Sequence, residues 1–263
     1  TTFIYAANDN GDIYKIRDNG SGGDLTGGWS TALGAVVRSS PAVYNGALYV
    51  GCSDQKLYKL NASTGGTTWT TTAAITGSLT ATVAVDEWTP SADCAWIGSE
   101  ANNIYRVNTG DGTVINNFSA SGAIKASPAL TFGIRSTDDD IYIASMDGKI
   151  YARNGLNLAT IPTAWTGRGG QEDGNYNIGS GMESSPYVDI VNSSNYFIYV
   201  GANDGKLYKL NAADGTFVWS VQTGGPVKST PVVYGGWVYF GSDDCQCWCV
   251  SATDGSARPG WPV

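Results

Sequence analysis

Short runs of alternating apolar and polar residues, separated by Gly, Asp, Asn and Ser, fill this chain. In KLYKLNA, from Lys56, Leu57 and Lys59 fall on one side of an extended backbone and Tyr58 and Leu60 on the other. Apolar residues on both sides suit a sheet packed between two other sheets, which makes most of these aromatics core. The runs are too short and too regularly alternating for helices. They predict strands joined by tight turns, with D-G or N-G as the hairpin signal.

One segment repeats. YVGANDGKLYKLNAADG from Tyr199 returns as YVGCSDQKLYKLNASTG from Tyr49. Weaker copies begin at Tyr5, Trp96, Tyr142 and Tyr239. The second aromatic of each copy stands at Tyr14, Tyr58, Tyr105, Tyr151, Tyr208 or Trp248, with successive spacings of 44, 47, 46, 57 and 40 residues. Seven residues before each lies a small residue: Ala7, Gly51, Gly98, Ala144, Gly201 or Gly241. A period of roughly 40 to 50 residues is that of a four-stranded propeller blade. The expected fold is therefore all-β, a six-bladed β-propeller of four-stranded antiparallel blades.

Segments such as SSPAVY at Ser39 and STPVVY at Ser229 read as the inner strand A. The YVG segment reads as strand B and KLYKLNA as strand C. Strand D carries Trp29, Trp69, Trp165, Trp219 or Trp261, with Asn116 aligned there in the third blade. A single domain over 1–263 is expected, with blades near 1–36, 37–78, 79–123, 124–181, 182–226 and 227–263. The first blade lacks an SSP segment before Phe3. Either a strand A lies beyond Val263, making the chain a fragment of a longer one, or the first blade is three-stranded.

The pattern Y-V-G-x-x-D-G-x-L-Y-x-L-N-A-x-x-G-x-x-x-W resembles the PQQ-like repeat of quinoprotein dehydrogenases and their non-enzymatic relatives, among them the propeller lipoprotein of the outer-membrane β-barrel assembly machinery. The resemblance covers essentially the whole chain and implies that Trp69 and Trp219 dock on the Gly-containing turn of the adjoining blade. It also implies PQQ with calcium as a cofactor, should the chain be an enzyme. The dehydrogenases have eight blades, a Cys-Cys pair and acidic calcium ligands; this chain has six repeats and no adjacent cysteines. The resemblance therefore points to the non-enzymatic members.

Composition narrows the chemistry. There is no His, which removes Ser-His-Asp and Cys-His nucleophiles and His-ligated metal. A net charge of −8 argues against nucleic acid and against an anionic membrane surface. No run of 18 apolar residues exists, so no membrane insertion is expected. The opening TTFIY has neither the charged n-region nor the apolar h-region of a signal peptide, a form that a mature secreted chain also takes. Scarce Lys and abundant Thr, Ser, Asn and Gly, together with the family, lean towards an extracellular or periplasmic protein.

Candidate sites are few. Arg38, Lys125, Glu183 and Lys228, with Leu79, start strand A in successive blades and are expected to line one mouth of a central channel. Three cations there would attract an anion such as a tricarboxylate quinone, unless they are simply a solvated rim. The longest D–A loop, Thr166–Gly181, offers Arg168, Gln171, Glu172, Asp173 and Tyr176 to a protein or glycan. Asp138–Asp140 and Asn8–Asp12 are weak calcium candidates. Cys245, Cys247 and Cys249 alternate along strand C of the sixth blade, which puts three thiols on one face as a weak soft-metal candidate or as packing residues.

The leading expectation is a non-catalytic, secreted or periplasmic binding or scaffold propeller that engages a protein or ligand without a cofactor. A small PQQ-dependent oxidoreductase over the Arg38, Lys125 and Lys228 funnel is the alternative. A carbohydrate-binding propeller using Trp88, Tyr176 and Tyr196 is the second.

Overall fold

The structure is a computed structural model that describes residues 2–18, 20, 23–71, 75–86, 94–131, 140–155, 157–158, 165, 174–192 and 195–263. Among the described residues the strands form six antiparallel sheets, one for each repeat. The first holds β1 (Thr2–Ala7), β2 (Asp12–Asp18) and β3 (Gly23–Ala32). The second holds β4 (Ala42–Tyr44), β5 (Ala47–Gly51), β6 (Leu57–Asn61) and β7 (Thr67–Thr70). The third holds β8 (Ala84–Asp86), β9 (Cys94–Gly98), β10 (Asn103–Asn108) and β11 (Val114–Ser119). The fourth holds β12 (Ala129–Leu130), β13 (Asp140–Ala144), β14 (Lys149–Asn154) and β15 (Asn175–Asn177). The fifth holds β16 (Tyr187–Asn192), β17 (Asn195–Gly201), β18 (Lys206–Asn211) and β19 (Phe217–Gln222). The sixth holds β20 (Val232–Tyr234), β21 (Trp237–Ser242) and β22 (Gln246–Ser251).

Strand order follows chain order in every sheet, so each is a meander with strands A to D side by side. The first sheet has strands B, C and D only. In the sixth, the tail runs along β22 in the place of strand D: Cys247 and Val263 exchange both backbone hydrogen bonds, at 2.7 and 3.0 Å.

The chain divides into two compact units, Thr1–Ser119 and Ala120–Val263. The first unit ends on β11, the strand whose Trp position holds Asn116. Within it, the second sheet is buried on both sides, as its pattern requires. Leu48, Val50, Tyr58 and Leu60 pack with Ile13 and Val37, while Tyr49 and Leu57 pack with Leu79, Ala95 and Ile97. In the second unit, Tyr142 and Ile150 pack with Ile198 and Val200, and Tyr199 and Leu207 with Val227, Val238 and Phe240. Each such aliphatic side chain contributes about 1.5–3 kcal/mol by leaving water.

Two small-residue positions explain how neighbouring sheets come so close. A Cβ at Gly51 would lie 2.6 Å from the Ile97 side chain, and one at Gly201 would lie 2.3 Å from the Val227 carbonyl. The strand-A serine locks the same glycine: Ser39 Oγ accepts from the Gly51 N–H and donates to its carbonyl, both at 2.9 Å. Ser229 does the same to Gly241, at 2.8 and 2.9 Å.

The B–C turns close on side chains. Asp54, Asp147 and Asp204 each accept from the N–H two residues on, at 2.9 to 3.2 Å, and from the strand-C tyrosine, Tyr58, Tyr151 or Tyr208, at 2.5 to 2.6 Å. Asp244 takes the indole N–H of Trp248 instead, at 3.1 Å. Burial, with the aspartate behind it, pushes the Tyr151 hydroxyl up to about 12 and raises Tyr58 and Tyr208 as well.

Candidate functional site

The residues singled out in the sequence disperse. Arg38 is exposed and reaches Asp9 at 3.4 Å in the first unit. Lys228, in the second, holds Asp243 at 2.7 Å, and Glu183 adds a weaker attraction to it. Lys125 and Glu183 are half-buried. Arg168, Gln171, Glu172 and Asp173 lie outside the described residues, as do Trp88, Asp138 and Asp139.

Three expectations need correction. Tyr176 is not a loop-tip residue: it lies in β15 opposite Ile150 and packs on the core around Tyr142, because Asn175–Asn177 pair with β14 as an edge strand of the fourth sheet. Tyr196 is buried in β17, facing the same core, and does not offer its ring to a sugar. Cys245 stands at φ +68 in the turn before β22, so alternation along the strand relates Cys247 and Cys249 alone. None of the five cysteines is in a disulfide, and Cys245 and Cys247 are exposed. In the Asn8–Asp12 turn the oxygens are already used: Asn8 Oδ1 accepts from the N–H groups of Asn10 and Asp12, and Asp12 accepts from Tyr14.

A recurring clamp joins adjacent sheets. Tyr5 and Trp29 both donate to the Ala62 carbonyl at 3.1 Å. Tyr142 and Trp165 both donate to the Ala212 carbonyl, at 2.9 and 2.8 Å. Trp69 donates to Thr109 O at 3.0 Å and Trp219 to Ala252 O at 3.4 Å. Each indole covers the glycine of that turn: a Cβ at Gly112 would be 2.7 Å from the Trp69 ring, and one at Gly255 would be 3.1 Å from that of Trp219. A lysine joins two of the clamps. Lys59 Nζ donates to Thr109 O at 2.7 Å and Lys209 Nζ to Ala252 O at 2.6 Å.

Beside the last clamp the fifth and sixth sheets part. Register pairs Asp189 with Phe197 and Tyr199 with Lys209, so these side chains share one face. At its upper end that face closes on Val227 and Val238. Below, it opens into a cleft of about 630 Å³ whose lining includes Asp189, Val191, Lys209, Val218 and Tyr234. Lys209 Nζ sits 3.8 Å from the Phe197 ring centroid; burial lowers its pKa, opposed by Asp189. Burial also raises the Asp189 carboxyl, with Lys209 pulling the other way. The corresponding cleft between the second and third sheets, at Tyr49, Lys59 and Thr109, is smaller, about 280 Å³.

The sequence alone does not single this place out. A cation directly after the strand-C aromatic recurs at Lys15, Lys59, Arg106 and Lys209, and is the one available signal. Asp189 in SSPYVDIV carries none.

Arg38 and Lys228, two of the three cations available to quinone carboxylates, each already hold an aspartate. Among the described residues no three His, Cys, Asp or Glu side chains gather to hold a metal ion.

Six meandering sheets, with a Tyr–Trp pair on every repeat but the third, define a β-propeller of PQQ-like repeats. The chain belongs to the family described as outer membrane protein assembly factor BamB, whose model matches residues 2–168 and 180–258. Its fold is that of BamB from Moraxella catarrhalis, with a TM-score of 0.73 at 15% identity over 100% of this chain and 70% of that one. It also resembles the WD40 β-propeller domain of Doa1, with a TM-score of 0.66 at 12% identity over 100% of this chain and 78% of that one. A stretch of 53 residues is 40% identical to the β-alanine-activating enzyme of Danio rerio, covering 20% of this chain and 5% of that protein.

Proposed function

We propose that this chain is a non-catalytic protein-interaction propeller that works outside the cytoplasm, at the cell envelope, and engages its partner at the cleft between the fifth and sixth sheets. One observation carries the reading. Large apolar side chains that line that cleft stand in water, with Tyr234 79% exposed, Val191 61% and Val218 40%. A contiguous apolar patch rimmed by polar groups is the usual mark of a docking surface. Membership of a family described as an assembly factor supports the same reading. Among the described residues, no helix is long and apolar enough to cross a membrane.

The test is a photo-crosslinking amino acid placed at position 234 in the source cells. A discrete adduct there, absent from a probe at the exposed turn residue Asn10, is the expected outcome. Equal labelling at both positions, or none, overturns the reading. Calorimetry with PQQ, with and without calcium, tests the proposal that no quinone is used. Tight calcium-dependent binding accompanied by dye reduction would make the chain an oxidoreductase instead.

A further inference from the structure

We propose that the cleft between the fifth and sixth sheets recognises an extended peptide segment of the partner through one cationic side chain, Arg or Lys, flanked by large apolar residues, with Asp189 as the carboxylate that receives the cation. The inference rests on the reading of this chain as a protein-interaction propeller and names what its site selects.

The repeat itself points to Asp189. Strand A pairs Ala42 with Tyr49 in the second sheet, Tyr187 with Tyr199 in the fifth and Val232 with Tyr239 in the sixth. Two residues on, the same face receives Tyr44, Asp189 and Tyr234 respectively; in the third sheet the position is held by Asp86. In the second sheet Tyr44 packs against the neighbouring core and lines the smaller cleft there. In the fifth, a carboxylate stands in place of that ring, and the opposing residue is Phe197 where the second sheet has Ala47.

The carboxylate is unmatched. Among the described residues Asp189 has no hydrogen-bond donor and no ion pair within salt-bridge distance. Lys209, the nearest cation, turns its ammonium to the Ala252 carbonyl and over the Phe197 ring. A half-buried carboxylate without a donor is a cost that an incoming cation removes. The walls supply the rest: Val191 and Val218 are apolar and exposed, and Tyr234 offers an aromatic face to an aliphatic stem or a guanidinium. A chain with a net charge of −8 also draws a basic segment rather than an acidic one.

The experiment titrates the whole chain with acetyl-Leu-Arg-Phe-amide and with the same tripeptide carrying Gln or Glu in place of Arg. Binding is read from chemical-shift changes. The expected result is binding of the Arg peptide about tenfold tighter than the Gln peptide, with the Glu peptide weaker still. Asp189→Asn should erase the difference between Arg and Gln, with an unchanged spectrum away from the cleft showing that the variant is folded. Equal binding of the three peptides by the unmodified chain overturns the proposal without recourse to any variant, as does Arg selectivity that survives in Asp189→Asn. A crosslinked adduct at position 234 would stand through either failure, since it requires a partner at this face but no cation. Loss of that adduct together with retained Arg selectivity would remove the protein-docking reading alone.

Discussion

At the scale of the residue, burial decides what titrates and what reacts. The Tyr151 hydroxyl, taken out of water and donating to Asp147, is pushed up from 10.0 to about 12. Its protonated form is therefore favoured in the folded state. The resulting stability is complete below pH 10 and is lost as pH rises towards 12. A urea midpoint measured across that window is expected to fall, and to fall less in Tyr151→Phe. Thiols follow the same logic. Cys52 is fully buried and pushed up to about 11, and Cys94 and Cys249 are also buried. A thiol reagent at pH 8 is expected to label Cys245 and Cys247 quickly, and the other three only on unfolding. Fast labelling of a third thiol would show that one of these sheets opens locally.

At the scale of the element, the unit of structure is a pair of neighbouring sheets joined by a Trp on a glycine turn. Gly112 stands at φ +75 with the Trp69 ring where a Cβ would go. Gly112→Ala combines the left-handed penalty with a displaced indole and is expected to cost about 2–3 kcal/mol. Gly66→Ala, whose new Cβ meets only Thr64 Oγ1 at 3.5 Å, is the matched control, with an expected change within about 0.5 kcal/mol. Thermal denaturation of the two variants separates docking from glycine removal as such. The clamp was legible in part: the Gly and Trp spacing marks the strand D indole. It does not show that Trp29, Trp165 and Trp219 each share one carbonyl with a strand-B tyrosine, because two separated segments meet there only after the sheets pack.

At the scale of the whole molecule, net charge biases what the chain meets. A net charge of −8 steers cations over distances that salt shortens, to about 8 Å at physiological strength. Association of the Arg tripeptide, followed by stopped flow, is expected to slow several-fold on going from low salt to physiological salt, while the Gln tripeptide is unaffected. A salt-independent rate for both would confine the electrostatics to the bound state.

By itself, the sequence determined the number of sheets, the order of strands B and C in each, and that most of the repeat aromatics belong to the core. Those features follow from a period of two along a strand and from a repeat that recurs six times, both of which are local. Only the tertiary structure decided the rest. It paired Arg38 with Asp9 and Lys228 with Asp243, took Tyr176 and Tyr196 into the core, and moved Cys245 out of line with Cys247 and Cys249. It also left Asp189 without a hydrogen-bond donor among the described residues, beside an open apolar cleft. A repeat specifies what all sheets have in common. A site arises where two particular sheets fail to fill the space between them, and that depends on side chains far apart in the chain.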